Sequence, residues 1–179
     1  MSSLFRRKHA QEIQEVEPGA RLRPAKAFRV YKRNLPHWEY PGSVYFITFR
    51  TATGFTLSGP AKDIVFLTCK YHADKKYRLC ACVIMDTHVH CILQPLEESK
   101  GSFYSLAQVM HSIKSYSANR IQRLLGKKGS VWQDENYDRV IRDEKEYLEK
   151  MNYVANNPLK AGLVDKPEDY RWLFLEGQR

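Results

Sequence analysis

The pattern of hydrophobic and polar positions predicts alternating strands and helices from about residue 40 onward. β-branched and aromatic residues dominate 43–50, which indicates a strand. Apolar residues recur at helical spacing over 62–71, which indicates a helix. Two further apolar stretches, 77–85 and 88–94, are separated by two residues. Strands this close in sequence must pair as an antiparallel hairpin.

The C-terminal half is predicted to contain two helices and a strand. The first helix spans 102–125 and ends at Gly126. Its apolar face is formed by positions at three- and four-residue steps: Leu106, Val109, Met110, Ile113, Ser117, Ile121 and Leu124. The segment 129–142 is predicted as a turn followed by a short strand ending at Val140 and Ile141.

A last helix is predicted to begin after Asp143, which has the side chain of an N-terminal cap. It must end near Asn157, because Pro158 disfavours helical geometry in the residue before it. The resulting order, β-α-β-β-α-β-α, is typical of an α+β fold. We therefore expect a two-layer plait like ferredoxins and RNA-recognition modules, with a central antiparallel sheet and the helices packed on one face.

Composition narrows the class of protein. The 179 residues are 43% hydrophobic and 27% charged, as in soluble globular domains. No apolar run approaches the roughly 18 residues of a transmembrane helix, and the basic start lacks the apolar segment of a secretory signal. We therefore expect a cytoplasmic protein without membrane association. The four cysteines lack paired zinc-ligand spacing, and no phosphate-binding GxxxxGK[ST] loop is present, so no nucleotide cofactor is expected.

Charge is the first positive indication of a partner. The formal net charge is +9. Residues 1–34 hold nine Lys and Arg against three Glu, and residues 99–133 hold six Lys and Arg without an acid. Either run could be a solvated surface, but two in one small chain favour binding to nucleic-acid phosphates. The candidate contacts are Lys114, Arg120 and Arg123 in the long helix, and Arg29, Lys32 and Arg33 near the N-terminus.

The same distribution predicts two parts in the chain. Residues 1–39 have few large apolar side chains and carry Pro and Gly between charged positions, so we interpret them as a basic N-terminal arm. The folded domain is predicted over 40–179.

Two sets of residues could carry chemistry. His88 and His90 alternate with Val89 along a strand, so both imidazoles project from one face and could bind one metal ion. Two unrelated histidines near a turn are the alternative. Tyr153 and Asn157 are four residues apart on the last helix, which places a phenol one turn from an amide oxygen that could be a third ligand. Core packing and a helix end are the alternatives for this second pair.

These residues lie in motifs that resemble a known family. The His88-Val89-His90 motif after an apolar strand is similar to that of the HUH single-strand DNA nucleases. The stretches 131–144 and 153–164, the second of which reads YVANNPLKAGLV, resemble one branch closely. That branch is the REP-associated tyrosine transposases, relatives of the single-tyrosine insertion-sequence transposases. The similarity runs from about Tyr40 to Trp172.

The resemblance implies a mechanism. Tyr153 would be the nucleophile, and His88, His90 and Asn157 would bind a divalent metal ion, Mg²⁺ or Mn²⁺. The reaction would be cleavage and rejoining of single-stranded DNA through a 5′-phosphotyrosine intermediate, beside a hairpin of a palindromic repeat. Tyr116, in the basic helix, is the rival nucleophile. Trp132 and Tyr137 could stack on bases or belong to the core.

Two other functions fit the same residues. A nucleic-acid-binding regulator would use the plait without chemistry, and a metal-dependent hydrolase would use water and leave no covalent intermediate. The resemblance implies two possible oligomeric states. Insertion-sequence relatives resemble dimers that exchange the tyrosine helix, whereas the REP-associated branch resembles monomers, and we favour a monomer.

Overall fold

The computed structural model describes residues 29–32 and 36–177, with side chains described from Tyr40 onward. In chain order its elements are β1 (Arg29–Lys32), β2 (Pro36–Glu39), β3 (Tyr45–Thr51), α1 (Gly59–His72), β4 (Tyr77–Ile84), β5 (His88–Pro95), β6 (Glu97–Ser99), β7 (Ser102–Phe103), α2 (Leu106–Leu125), β8 (Trp132–Val140), α3 (Glu144–Ala155), α4 (Asn157–Lys160) and β9 (Leu173–Leu175). None of the helices in these ranges has the length and apolar character needed to cross a membrane.

A five-stranded sheet organises the chain. Its order is β8-β3-β5-β4-β9, and every pairing in it is antiparallel. The hairpin predicted between the second and third strands is confirmed as β4 and β5, with Ile84 opposite Val89. The predicted α+β fold with a central antiparallel sheet is thereby confirmed.

Helices cover both faces of this sheet. Tyr45, Ile47 and Phe49 point into a first buried cluster, which also contains the inner faces of α1 and α2. The alternate residues of the same strands, such as Phe46 and Ile92, belong to a second cluster that α3 covers. The expectation that all helices lie on one face is therefore wrong for α3. An apolar second face must be buried as well, and α3 buries it.

The long helix α2 is shorter than its sequence pattern indicates. A capping box fixes its start, because the Ser105 side chain accepts a hydrogen bond from the Gln108 backbone while the Gln108 side chain accepts one from the Ser105 backbone. Gly126, with φ of +61°, ends the helix as predicted. Leu124 was expected on the buried face but is 50% exposed, because it lies in the last turn, beyond the contact with the sheet.

Two strands differ from expectation. The strand before α3 is nine residues long rather than short. It lies at an edge of the sheet, where several of its side chains face solvent. Because these residues are polar, the hydrophobic pattern indicates only the end of the strand. The three-residue β9 was not predicted. It is held by neighbouring contacts, since Tyr170 donates a hydrogen bond to the Ile84 carbonyl and the Trp172 indole donates one to Asp63.

The last predicted helix is divided in two. Asp143 caps α3 as expected, its carboxylate accepting from the Glu146 backbone. The helix ends at Ala155, and α4 begins at Asn157 after one intervening residue. Pro158 lies in the first turn of α4, where its missing N–H has no helical partner to lose.

The predicted N-terminal arm contains backbone structure. Strands β1 and β2 pair antiparallel, with Val30 opposite Trp38. Both fall within the predicted 1–39 arm, while the rest of that arm lies outside the described residues.

Replacing Ile92 with Ala should lower the free energy of unfolding by about 2–5 kcal/mol, because Ile92 is fully buried beneath α3. Urea denaturation would measure this change. The control is Leu163→Ala, whose side chain is about half exposed and should change stability by no more than about 0.5 kcal/mol. Equal effects for the two variants would contradict the packing described.

Candidate active site

The two histidines of the HxH motif project from one face of β5. Val89 and Cys91 point into the first buried cluster, so His88 and His90 face the other side, towards α3. Their ring centroids are 4.8 Å apart. The strand alternation expected from sequence therefore places both imidazoles side by side.

Tyr153 reaches this histidine pair from α3. Its hydroxyl lies 3.5 Å from Nε2 of His90, and the two ring centroids are 5.1 Å apart. The neighbouring residue, Val154, is completely buried against the sheet and fixes this part of the helix. Phe46 of β3 contacts both rings, stacking on His90 at 5.6 Å and meeting Tyr153 edge-on at 5.8 Å.

Asn157 completes the group from the start of α4. Its side chain lies close enough to His88 to raise the pKa of that imidazole. Because α3 ends before this residue, Tyr153 and Asn157 belong to two consecutive helices rather than to one helix face. The break still leaves the amide beside one histidine and the phenol beside the other. The four residues singled out from the sequence thus lie together, all from the same chain.

Thr48 fixes the orientation of His90. It lies directly opposite His90 in the sheet register, and its Oγ1 is 2.8 Å from His90 Nδ1. With Nδ1 protonated and donating to Thr48, Nε2 keeps its lone pair and can accept from the Tyr153 hydroxyl. The strand register therefore selects which ring nitrogen faces the phenol.

Burial keeps both imidazoles neutral. It lowers the pKa of His90 to about 3, and the nearby His88 and Arg50 add to the effect. Burial and Arg50 also lower the pKa of His88, while the Asn157 amide oxygen, which can accept from the ring N–H, and the charge of Asp86 act in the opposite direction. Neutral imidazoles have the free lone pairs that metal ligands need.

Cationic side chains surround the phenol and the histidines. Arg50 lies opposite His88 in the sheet register. The Lys160 ammonium is 5.4 Å from the centre of the Tyr153 ring, and that of Lys150 is 5.0 Å from the centre of the Phe46 ring. This edge of the site therefore carries positive charge where an anionic ligand would approach.

The site can offer three ligands of two chemical types. Within residues 40–177 no three His, Cys, Asp or Glu side chains are grouped so that they could hold one metal ion. Two imidazole nitrogens and the amide oxygen of Asn157 remain as the donor set. Nitrogen and oxygen donors of this kind fit a divalent cation and leave coordination positions for other groups.

The basic residues of α2 lie elsewhere. That helix packs on the opposite face of the sheet, so Lys114, Arg120 and Arg123 are separated from Tyr153 by the sheet. The Lys114 ammonium donates to the backbone carbonyls of Gln133 and Asp134. Tyr116 also lies on α2, across the sheet from His88 and His90.

The other residues predicted to contact DNA lie partly in the core, partly at the surface and partly outside the described side chains. Only the backbone is described for Arg29 and Lys32, which lie in β1, and Arg33 lies outside the described residues. Trp132 is a core residue: its ring packs on Phe49 and its indole nitrogen donates to Ser117. Tyr137 is 53% exposed, with its ring 6.5 Å from that of Phe46 at the site.

Sequence reasoning missed Thr48, Arg50 and Lys160 as parts of this site. A signal for the first two was present, because they are polar residues at alternate positions in an otherwise apolar strand. Alternation places them on one face, opposite the buried Ile47 and Phe49. The position of Lys160 depends on the break between α3 and α4, for which the sequence offers only Pro158.

The low pKa of His90 predicts a pH-dependent stability. In the unfolded chain its pKa returns to about 6.5, so the unfolded state binds more protons between that pH and about 3. The free energy of unfolding should therefore fall as pH is lowered through this window, with a slope of at most about 1.4 kcal/mol per pH unit from this residue.

Urea titrations in chelating buffer would measure this slope. The His90→Gln variant should show a shallower slope by close to one proton. Identical slopes for the two proteins would contradict a neutral, buried His90.

The chain is similar in sequence to two bacterial proteins named as REP-associated tyrosine transposases. The chain is 22% identical over 111 residues to a protein of Haemophilus influenzae named as a putative REP-associated tyrosine transposase, covering 58% of this chain and 60% of that protein. It is 29% identical over 101 residues to the REP-associated tyrosine transposase of Escherichia coli, covering 56% of each. The chain thus matches less than two thirds of the length of these relatives. No family model matches the sequence.

A solved structure shares the fold. It is that of a REP-associated tyrosine transposase bound to a REP hairpin, with a TM-score of 0.60, 21% identity and 80% of each chain covered. In sequence and in fold together, the predicted resemblance of this chain to the REP-associated tyrosine transposases is confirmed.

Proposed function

We propose that this chain is a DNA-processing enzyme of the REP-associated tyrosine transposase type, which cleaves and rejoins single-stranded DNA beside a hairpin. The observation that carries the proposal is the 3.5 Å approach of the Tyr153 hydroxyl to His90, next to His88 and Asn157. A nucleophile beside a neutral metal-ligand pair is what phosphodiester cleavage by a tyrosine requires. The named relatives support the same class of substrate.

His88, His90 and Asn157 would hold a divalent cation, for which Mg²⁺ and Mn²⁺ are our candidates. When bound, such an ion neutralises phosphate charge and stabilises the leaving oxygen. The fit rests on the donor set itself: two imidazoles whose lowered pKa values keep them neutral, and an amide beside one of them. Thr48 holds the His90 ring so that Nε2 faces the site.

Tyr153 would carry the covalent step. Its phenol oxygen attacks the phosphorus and the bond from phosphorus to the 3′ oxygen breaks. The phenol proton leaves to solvent, and the released strand gains a proton as its 3′-OH. The product is a 5′-phosphotyrosine that stores the bond energy, so a second 3′-OH can attack it and restore the tyrosine. Lys160 and Arg50 lie where they can attract the phosphate.

Tyr153 is preferred over Tyr116 because of its position. Tyr116 lies on α2, across the sheet from both histidines. Tyr153 reaches His90 within one chain, which supports a monomer acting without exchange of its tyrosine helix.

Hairpin binding is proposed to use the basic residues. Arg120 and Arg123 are exposed on α2 and would contact phosphates, together with Arg29, Lys32 and Arg33 of the N-terminal arm. Lys114 is held against the start of β8, so a phosphate that it binds must lie there. Such contacts make affinity fall steeply with salt concentration.

The Tyr153→Phe variant should form no covalent adduct with DNA, because the attacking oxygen is gone, while its hairpin affinity stays unchanged. The assay uses a hairpin with randomised single-stranded flanks, incubated with Mn²⁺ and run on a denaturing gel. A 3′ label should move with the protein and a 5′ label should appear on a shorter free strand, since the tyrosine keeps the 5′ phosphate.

Tyr116→Phe is the matched control and should form the adduct. An adduct from Tyr153→Phe that is absent from Tyr116→Phe would assign the reaction to the other tyrosine. Cleavage without an adduct would indicate a hydrolase that uses water. Hairpin binding by the wild-type protein without cleavage would indicate a regulator.

The Thr48→Val variant should need about 10–100-fold more Mn²⁺ for half-maximal adduct formation, because the hydrogen bond that orients His90 is lost. A Mn²⁺ titration of the adduct yield would measure this shift. The control is Thr56→Val, an exposed threonine outside the site. An unchanged Mn²⁺ requirement for Thr48→Val would remove Thr48 from the metal site.

A further inference from the structure

A groove runs between α1 and α2 on the side of the sheet opposite Tyr153. Its volume is about 450 Å³, within the range of roughly 300–1,000 Å³ that ligand pockets occupy. The side chains that line it include Leu67, Lys70 and Tyr71 from α1, and Tyr116 and Arg120 from α2. Nothing in the proposed cleavage step uses this groove.

Two tyrosines in the groove present their rings to solvent. Tyr71 is 60% exposed and Tyr116 is 46% exposed. Their rings are nearly parallel, with an angle of 9° between planes and 6.4 Å between centroids. Exposed, parallel aromatic faces on two neighbouring helices offer a surface on which flat rings can stack.

Cations accompany the aromatic rings. Lys70 and Arg120 line the groove, and the Lys75 ammonium lies 3.4 Å from the centre of the Tyr71 ring. The residues that line the groove include no acid. Stacking faces combined with positive charge are the features by which proteins hold single-stranded nucleic acid, the charge attracting phosphates and the rings receiving bases. An apolar protein partner would not need these cations.

His72 adds a polar group beside the tyrosines. Its ring lies edge-on to both, with centroids 5.2 Å from Tyr71 and 6.1 Å from Tyr116. Its Nε2 is buried and has no hydrogen-bond partner within the described part of the chain.

We propose that the groove between α1 and α2 binds a segment of single-stranded DNA, with bases stacked on Tyr71 and Tyr116 and phosphates held by Lys70, Lys75 and Arg120. The inference rests on the proposed function for the identity of the nucleic acid. Because the sheet separates the groove from Tyr153, the bound segment is one that does not react. The groove would thus anchor the flank or loop of a hairpin while another part of the strand reaches the active site.

The test is a binding cycle measured by fluorescence anisotropy. The probes are a labelled oligothymidylate of roughly twelve nucleotides, within the usual site sizes of such grooves, and an abasic strand of the same length. Binding is measured in EDTA so that no cleavage occurs. Each of Tyr71→Ala and Tyr116→Ala should weaken binding of oligothymidylate about ten-fold and leave binding of the abasic strand nearly unchanged.

Conservative and distant variants serve as controls. Tyr71→Phe and Tyr116→Phe keep an aromatic face and should bind like the wild type. Leu148→Ala removes an exposed apolar side chain from α3 and should also have no effect. Arg120→Ala should weaken both probes equally and reduce the salt dependence of binding by close to one phosphate contact.

Two results would overturn the inference. One is equal affinity of the Ala variants and the wild type for oligothymidylate. The other is self-association of the wild type in sedimentation velocity that the Ala variants lose without a change in DNA affinity, which would make this face a contact between copies of the chain. The adduct assay separates the two proposals, because a protein that shows the base-dependent loss but never forms an adduct has the groove without the chemistry.

Discussion

The register between β3 and β5 is the constraint on which the candidate site depends. It places Thr48 opposite His90 and Arg50 opposite His88, so the hydroxyl that orients His90 and the cation nearest His88 in the sheet both come from β3. A shift of one residue in β5 would turn both imidazoles into the core and bring Val89 and Cys91 to the outer face. The buried residues of β5 therefore stabilise the arrangement of the candidate site, because a one-residue slip would expose them.

The sheet also separates the candidate active site on one face from the groove between α1 and α2 on the other. On one face, α3 and α4 bring a phenol, an amide and cations to the histidines. On the other face, α1 and α2 carry exposed tyrosines and basic residues. Both surfaces are built on alternate residues of the same strands, so one set of backbone hydrogen bonds supports both. A substrate that touches both surfaces must pass around an edge of the sheet.

Much of the site could be predicted because it depends on local periodicity. Alternation in β5 gave the shared face of His88 and His90, and the proline after Asn157 indicated where the tyrosine helix ends. What periodicity cannot supply is the side of the sheet on which a helix packs, which is why α3 was misplaced. Edge strands such as β8 are also hard to predict from the apolar pattern, since their side chains need not be apolar. The orienting role of Thr48 depends on a partner 42 residues away, and only the tertiary pairing reveals it.

The division between α3 and α4 separates the position of the Tyr153 phenol from that of the Asn157 amide, which one continuous helix would couple. Tyr153 is anchored through Val154, whereas Asn157 belongs to the next helix, after a joint at Asn156 whose backbone angles are φ −87° and ψ 2°. A small rotation at this joint would shift the amide while the phenol stays in position. In the proposed reaction, a substitution near this joint would alter the set of metal ligands without moving the proposed nucleophile.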